Sequence, residues 1–352
     1  MRSGLTAGVA AVVLTTVVMT TSGTGQASTP VATGTGLSTS AESTPVTTAA
    51  VQVAAATAQA GTLERIELQR HKGYVTGDGQ TIYVANRTTF RPRRATVHLP
   101  PVLRGRSWVV VDLDDGRILG KHAPRRQLPQ ASTMKLLTAV TAIGTTTSPH
   151  KVTRFEARQT CSCAGLKRGY RYYRKTLLAG ALLPSGNDAA EAVAGSYPEG
   201  RHAFYRAMNR HAVLLGATDT VARNASGLTA FGSHSSARDL VLLLRAALAE
   251  PAVAPYLSMP SATIASIHGR DRHRVWHGTD YVNKYPSAAG KSGYTTPAKN
   301  TLVVVTPIAG RRIAVASMGV PGGYSTSGAR ALTLWASRNY DGLRAVGTLP
   351  YS

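Results

Sequence analysis

Three short strings, widely spaced along the chain, carry side chains that together suit acyl transfer. They are Ser132-Thr133-Met134-Lys135, Ser185-Gly186-Asn187 and Lys291-Ser292-Gly293. A lysine three residues after a serine lies on the same side of a helix. A serine nucleophile without a histidine–aspartate pair needs another base, and a lysine of lowered pKa can serve. The three strings therefore predict a serine enzyme that transfers an acyl group.

The first two strings supply the groups that move protons. We expect Ser132 to be the nucleophile, at a helix N-terminus where amide groups favour the negative charge that develops on the attacked oxygen. Lys135 is expected to act as general base, because burial and neighbouring cations lower a lysine pKa. We expect Ser185 to relay a proton to the leaving amine, and Asn187 to orient Lys135 and the substrate.

The third string supplies groups that bind substrate. Lys291 is expected to raise the local positive potential, and the Ser292 hydroxyl to bind a substrate carboxylate. Gly293 is expected to let the substrate backbone lie against a strand edge. The amide of Tyr294 is then a second oxyanion donor beside the amide of Ser132.

The residues around these strings resemble a known family. The segments that carry the resemblance are Ala131-Ser132-Thr133-Met134-Lys135-Leu136-Leu137-Thr138, Leu183-Pro184-Ser185-Gly186-Asn187-Asp188-Ala189-Ala190 and Gly290-Lys291-Ser292-Gly293-Tyr294-Thr295. They are similar to the serine D-alanyl-D-alanine carboxypeptidases, which are low-molecular-mass penicillin-binding proteins. The resemblance covers roughly residues 107–340. The chain has Ser292 where the family usually has threonine, and the hydroxyl is kept.

The resemblance has implications for substrate and mechanism. It implies that the penultimate D-alanine of a peptidoglycan stem peptide acylates Ser132, that terminal D-alanine leaves, and that water then hydrolyses the acyl-enzyme. It also implies acylation by β-lactam antibiotics. No metal or other cofactor is expected. The sequence leaves open whether carboxypeptidase, endopeptidase or transpeptidase activity is preferred.

The pattern along the chain predicts an α+β fold. Strands are predicted at 108–113 and 117–120, and again at 300–308 and 311–320, where Ala309-Gly310 joins a hairpin. Helical spacing of apolar residues follows Ser132, brackets the second string at 172–183 and 188–195, and recurs at 236–250 and 325–340. We therefore expect one antiparallel sheet of N- and C-terminal strands, flanked by helices, with an all-helical subregion. The resemblance implies the transpeptidase fold of penicillin-binding proteins and β-lactamases.

Composition divides the chain into five parts. Residues 1–27 are predicted to be a signal peptide, since Arg2 precedes an apolar run and Gly25-Gln26-Ala27 suits cleavage. Residues 28–62 form a linker rich in Thr, Ala, Ser and Pro. Residues 63–106 are a basic segment, either a small strand-containing appendage or a basic tail. The catalytic domain is predicted at 107–341, and a short tail at 342–352.

The charge indicates where the protein works. Forty Lys and Arg against 17 Asp and Glu give a net charge of +23. Such an excess favours anionic surroundings. An exported protein meets anionic cell-wall polymers and lipid heads before it meets nucleic acid. We therefore expect an extracytoplasmic protein, wall-associated or secreted. Its expected partners are anionic cell-wall polymers or lipid heads, and not nucleic acid.

Three other functions are compatible with parts of the sequence. A class A β-lactamase needs a glutamate to activate the deacylating water, and residues 216–235 contain only Asp219. A zinc peptidase would need the cluster of His268, Asp271, His273 and His277, which we expect to hold exposed histidines in a loop. A non-catalytic wall-binding protein of the same fold is disfavoured, because all three strings keep their chemical groups.

Overall fold

The computed structural model describes residues 72–75, 81–85, 88–92, 104–160 and 162–350. All of them lie in one unit of the chain, Gln52–Ser352. The predicted signal peptide and linker lie outside the described residues. Within the described part, no helix combines the length and the apolar content that crossing a membrane requires.

The main sheet joins strands from both ends of the chain. The strands are β1 Lys72–Val75, β2 Thr81–Ala85, β3 Thr88–Pro92, β4 Ser107–Asp112, β5 Ile118–His122, β6 His150–Lys151, β7 Arg171–Tyr172, β8 Ser261–Ala265, β9 Arg272–Trp276, β10 Ala289–Thr295, β11 Lys299–Ile308, β12 Arg311–Val320 and β13 Leu343–Arg344. The order in the main sheet is β1-β2-β3-β5-β4-β12-β11-β10, and β13 pairs with β3. Every pair is antiparallel, while β6–β7 and β8–β9 form separate ribbons.

Most of the helices lie in the middle of the chain. They are α1 Lys135–Ala142, α2 Arg154–Ala157, α3 Arg174–Leu182, α4 Asn187–Gly195, α5 Arg201–Leu214, α6 Ala237–Ala249, α7 Asp280–Lys284 and α8 Tyr324–Arg338. This arrangement confirms the predicted α+β class and the sheet built from N- and C-terminal strands. The Ala309-Gly310 hairpin between β11 and β12 is also confirmed.

Around β4, the sheet is buried on both faces. Val109 and Val111 face the helical region, where they join a core that includes α1, α4 and α6. Trp108 and Val110 point the other way, towards Leu332 and Trp335 of α8. All six residues of β4 are buried, which explains why this strand has a continuous apolar run rather than an alternating one.

The sheet extends beyond the predicted boundary at Ser107. Strand β3 pairs with β5 through Thr88↔His122, so part of the basic segment 63–106 belongs to the main sheet and is neither a separate appendage nor a tail. The end of the chain also packs here, since β13 pairs with β3 and Leu349 is buried. The segment joins the sheet because β5 would otherwise have a free edge, and β3 pairs with the backbone groups of that edge.

The turn that contains Ser132 also differs from the prediction. Ser132 lies in a 3-10 turn, Ala131–Met134, and the α-helix begins only at Lys135. Ala131 has φ +49°, an uncommon value for a residue with a side chain. The serine thus lies just before the N-terminus of α1 rather than in its first turn.

Candidate active site

Lys135 is a buried amine with three hydrogen-bond acceptors. Its Nζ lies 2.8 Å from Ser132 Oγ, 2.8 Å from Asn187 Oδ1 and 2.7 Å from the carbonyl oxygen of Ser226. The side chain has no exposed surface. A neutral amine has two N–H groups and one lone pair, so it can donate to the two fixed oxygens and accept the Ser132 proton.

The surroundings favour that neutral form. Burial holds the pKa of Lys135 well below its ordinary value, and the positive charge of Lys291 lowers it further. The carboxylates of Glu191 and Asp188 act in the opposite direction. No carboxylate forms an ion pair with Lys135 within the described residues, so desolvation dominates.

The second string lies beside Lys135. Asn187 is the first residue of α4; its Nδ2 donates to Thr160 O at 2.6 Å and its backbone N–H to Ser162 O at 2.7 Å. These bonds fix the amide so that its oxygen faces Lys135. Ser185 has φ +63°, and its buried Oγ has no hydrogen-bond partner among the described residues.

The third string lies in β10, the edge strand of the main sheet. Lys291 is fully buried, and burial lowers its pKa to about 7. Its Nζ donates to Ser292 O at 2.7 Å. The hydroxyl of Ser292 lies 3.2 Å from Thr279 Oγ1, and the Tyr294 side chain is 61% exposed.

Gly293 brings this strand against Ser132. A Cβ at this position would lie 2.5 Å from the backbone nitrogen of Ser132 and 3.0 Å from Ala131 Cβ. Real Cβ atoms do not approach a backbone nitrogen so closely, so glycine is required here. The first and third strings therefore touch, and the hydrogen bond from Lys135 to Asn187 adds the second. The predicted residues meet at one place, while the roles assigned to them stay predictions.

The residues that support Lys135 were not predicted from the sequence. Glu191 is buried on α4, and its Oε1 accepts the amides of Ala225 and Ser226 at 3.1 and 3.0 Å. Its Oε2 accepts the Tyr205 hydroxyl at 2.6 Å. These bonds hold the loop whose Ser226 carbonyl accepts from Lys135. Helical spacing from Asn187, with Glu191 four residues on, was the one available signal.

A second supporting group lies under β10. Thr279 Oγ1 accepts the backbone N–H of Ser292 at 3.1 Å, and the Thr279 N–H donates to His277 Nδ1 at 3.1 Å. His277 is 3% exposed, and burial together with Lys291 lowers its pKa to about 4. The prediction of exposed histidines is thus wrong for His277, because the residues after β9 turn inward to contact β10.

The described residues offer neither a deacylating carboxylate for a class A β-lactamase in 216–235 nor a metal site for a zinc peptidase. Asp219 pairs with Arg125 at 2.8 Å, and the backbone N–H of Asp219 donates to a second carboxylate, that of Asp239. The described residues contain no group of three or more His, Cys, Asp or Glu able to hold a metal ion. His273 instead bonds the carbonyl of Ala164 at 2.7 Å.

Known proteins are similar to this chain in both sequence and fold. Residues 94–322 match the S11 peptidase family of D-alanyl-D-alanine carboxypeptidases. The D-alanyl-D-alanine carboxypeptidase DacB2 of Mycobacterium tuberculosis is 37% identical over 217 residues, which span 60% of this chain and 74% of that protein. A D-alanyl-D-alanine endopeptidase of Pseudomonas aeruginosa is 30% identical over 223 residues, 62% of this chain and 72% of that one.

A solved structure of a D-alanyl-D-alanine carboxypeptidase from Mycobacterium tuberculosis has a similar fold. Its TM-score is 0.67 at 34% identity, and the match covers 73% of this chain and 99% of that one. This similarity confirms the fold that the three strings implied. The family match covers more than half of the chain and includes every predicted site residue. The chain therefore belongs to the S11 peptidases, the serine-type D-alanyl-D-alanine carboxypeptidases.

Proposed function

We propose that the chain removes terminal D-alanine from peptidoglycan stem peptides through an acyl-enzyme on Ser132. The observation that carries the proposal is the 2.8 Å contact between Ser132 Oγ and the buried Nζ of Lys135. A buried amine with a lowered pKa next to a hydroxyl is the arrangement that activates a serine without histidine.

The acylation step begins with a proton transfer. Lys135 Nζ accepts the hydroxyl proton of Ser132, and Oγ attacks the carbonyl carbon of the penultimate D-alanine. The carbonyl oxygen becomes an oxyanion, which accepts hydrogen bonds from the amides of Ser132 and Tyr294. The amide bond then breaks as Ser185 passes its hydroxyl proton to the departing D-alanine nitrogen. Lys135 passes the proton that it took from Ser132 on to Ser185, which restores the Ser185 hydroxyl and the neutral amine.

The second step releases the shortened peptide. Water attacks the ester carbonyl with Lys135 again accepting a proton, and Oγ of Ser132 leaves as a hydroxyl. The terminal carboxylate of the substrate is bound by the Ser292 hydroxyl in the positive potential of Lys291. The position of β10 at the edge of the sheet supports peptide binding beside it, because an edge strand has backbone groups free to pair with a peptide ligand.

β-Lactams are expected to acylate the same serine. The carboxylate of residues 216–235, Asp219, is paired with Arg125, which gives no support to rapid deacylation of a bulky adduct. We therefore propose slow release of penicillin rather than β-lactamase turnover.

Export and retention at the wall form part of the proposal. They are supported by the signal-like residues 1–27 and by the net charge of +23. An extracytoplasmic location also matches the substrate, which is a component of the cell wall.

The experiment is a D-alanine release assay on a peptide that ends in D-alanyl-D-alanine. Ser132→Ala is expected to abolish release, while Ser327→Ala, which removes an exposed hydroxyl on α8, retains it. Lys135→Ala is expected to keep the fold and to lower the rate of acylation by about 10²–10⁴-fold. Release of D-alanine by Ser132→Ala would refute the assignment, and absence of release by the wild type would leave a non-catalytic wall-binding protein.

A further inference from the structure

The β8–β9 ribbon has one buried and one exposed face. Its register pairs Ala262 with Val275 and Ile264 with His273, and these residues face the protein. Alternate residues point outward because side chains alternate along a strand. The outer face therefore consists of Ser261, Thr263, Ala265, Arg272, Arg274 and Trp276. Trp276 is 65% exposed, which is unusual for so large an aromatic residue.

Positive charge is concentrated on and beside this outer face. A neighbouring turn adds cations, since the Ile267 N–H donates to Arg171 O at 2.9 Å and the Tyr172 hydroxyl donates to Asp271. The exposed cations on this surface are Lys167, Arg168, Arg171, Arg270, Arg272 and Arg274. We call these six residues, with Trp276, the basic ribbon surface.

The charge on the basic ribbon surface is not neutralised from within. None of its six cations forms an ion pair with a described residue. Asp271, the acid between them, accepts from Tyr172 and lies 3.6 Å from His273, so its carboxylate is already engaged. The guanidinium of Arg274 donates to Ser261 Oγ at 2.9 and 2.7 Å, but a hydroxyl does not neutralise its charge. Six like charges close together, none of them paired with a described carboxylate, indicate an external anion.

The surface adjoins the active site. Directly after Trp276, His277 begins the segment that reaches Thr279 and, through it, Ser292. The Gly278 N–H donates to Leu183 O at 2.7 Å, two residues before Ser185. A polymer bound along the ribbon would therefore hold the enzyme with its cleft next to the wall.

The spacing and chemistry favour a phosphate polymer. Arg272 and Arg274 are two residues apart on one face, hence about 6.6 Å apart along the strand. A planar guanidinium binds phosphate through two parallel hydrogen bonds. The exposed ring of Trp276 offers a flat apolar surface to the uncharged part of a repeat unit. We propose that the basic ribbon surface binds a linear polyol-phosphate wall polymer, in which every repeat carries a phosphate, at a site separate from the catalytic cleft.

The test is a fluorescence titration of the full chain with poly(glycerol phosphate) at several salt concentrations. Arg272→Glu/Arg274→Glu is expected to weaken binding by about tenfold or more, and to reduce the slope of log Kd against log salt by roughly 1.4, about 0.7 for each phosphate contact. Arg206→Glu/Arg210→Glu makes the same charge change on exposed positions of α5 and is expected to keep most of the affinity. Trp276→Ala is expected to weaken binding of poly(glycerol phosphate) but not of inorganic polyphosphate.

Several outcomes would overturn the proposal. Equal losses in the two double variants would mean that net charge alone attracts the polymer. Equal wild-type affinity for polyglutamate, or tighter binding of single-stranded DNA, would assign the surface to another anion. D-Alanine release from a soluble peptide is expected to be unchanged in Arg272→Glu/Arg274→Glu, so that failure here is distinguishable from failure of the Ser132 mechanism.

Discussion

Lys135 depends on a buried carboxylate that does not touch it. Glu191 holds the amides of Ala225 and Ser226, and the Ser226 carbonyl accepts from Lys135. The negative charge also raises the pKa of Lys135, against the larger effect of burial. Glu191 thus affects both the position of the Lys135 amine and its pKa without touching it.

Replacing Glu191 should therefore move the pH profile of acylation. Glu191→Gln removes the charge while keeping a side chain of the same shape, so the pKa of Lys135 falls further. The neutral amine then persists to lower pH, and the rising limb of the rate–pH profile should shift towards acid. The measurement is the rate of β-lactam acylation between pH 4 and 9.

Tyr205→Phe provides the control for that shift. It removes the hydroxyl that donates to Glu191 but leaves the carboxylate, so it should lower stability by about 1–3 kcal/mol with no acid shift of the limb. A limb that stays in place in Glu191→Gln would show that Glu191 is only structural.

Single residues were predicted where a short string carries the chemistry. Ser132, Lys135, Asn187 and Lys291 have recognisable neighbours, and they meet in the folded chain. Glu191 was not found, because its partners are backbone amides more than 30 residues away. Such contacts arise only on folding and leave no pattern in the sequence.

At the scale of elements, β10 and the turn that contains Ser132 are packed together as one unit. Gly293 leaves no space between them, and the Thr301 hydroxyl donates to Gln130 O at 2.9 Å, which joins β11 to the same turn. The turn with its strained Ala131 is thus held from the sheet side as well as by α1.

Gly293→Ala should separate these elements. The new Cβ would overlap the Ser132 nitrogen, so the strand or the turn must move, at a cost of about 1–3 kcal/mol in stability. D-Alanine release should fall about 10²-fold, since small displacements of reacting groups have effects of that size. Gly323→Ala is the matched control, because a Cβ there has no atom within 4 Å. Equal activity in the two variants would contradict the proposed contact.

Burial of Lys291 in β10 should appear in the pH dependence of stability. Its pKa falls from 10.5 in the unfolded chain to about 7 in the folded protein. Between these values the unfolded chain holds a proton that the folded protein has released, so stability rises with pH in this window. Below pH 7 both states are protonated and this contribution is constant.

Lys291→Met should reduce that rise. The variant is expected to lose activity but to unfold at higher urea at pH 7, because the amine at position 291 no longer has to be desolvated. The slope of the unfolding free energy against pH should decrease by up to about 1.4 kcal/mol per pH unit between pH 7 and 10. Urea unfolding at several pH values measures it, and an unchanged slope would mean that Lys291 keeps its ordinary pKa.

Elements were predicted well where burial produces a clear period. The strands β11 and β12 and the helix α6 have long apolar patterns, and their bounds agree with prediction to within about one residue. The 3-10 turn at Ser132 was missed because its geometry is set by contacts with β10 and with Gly227, where a Cβ would lie 1.9 Å from Ala131 O.

At the scale of the molecule, both ends of the chain complete one sheet. Strand β3 covers the edge of β5 and in turn pairs with β13. The sequence of 63–106 did not predict this, because its arginines, glycines and prolines mask the short strands. Strand formation there depends on the edge that β5 offers rather than on local apolar pattern.

Removing these strands should destabilise the domain. Deletion of residues 1–103 exposes the edge of β5 and leaves β13 unpaired, so we expect a lower Tm and aggregation. Deletion of residues 1–62 keeps β1, β2 and β3 and is expected to leave Tm unchanged. Thermal unfolding followed by light scattering compares the two, and equal Tm values would show that the three strands add no stability.

The most direct test of the acyl-enzyme is mass spectrometry after incubation with benzylpenicillin. We expect one penicillin adduct per chain, located on the peptide that contains Ser132. The adduct should persist after free drug is removed and be absent from Ser132→Ala. An adduct on another residue, or rapid turnover of penicillin with no adduct at all, would contradict it.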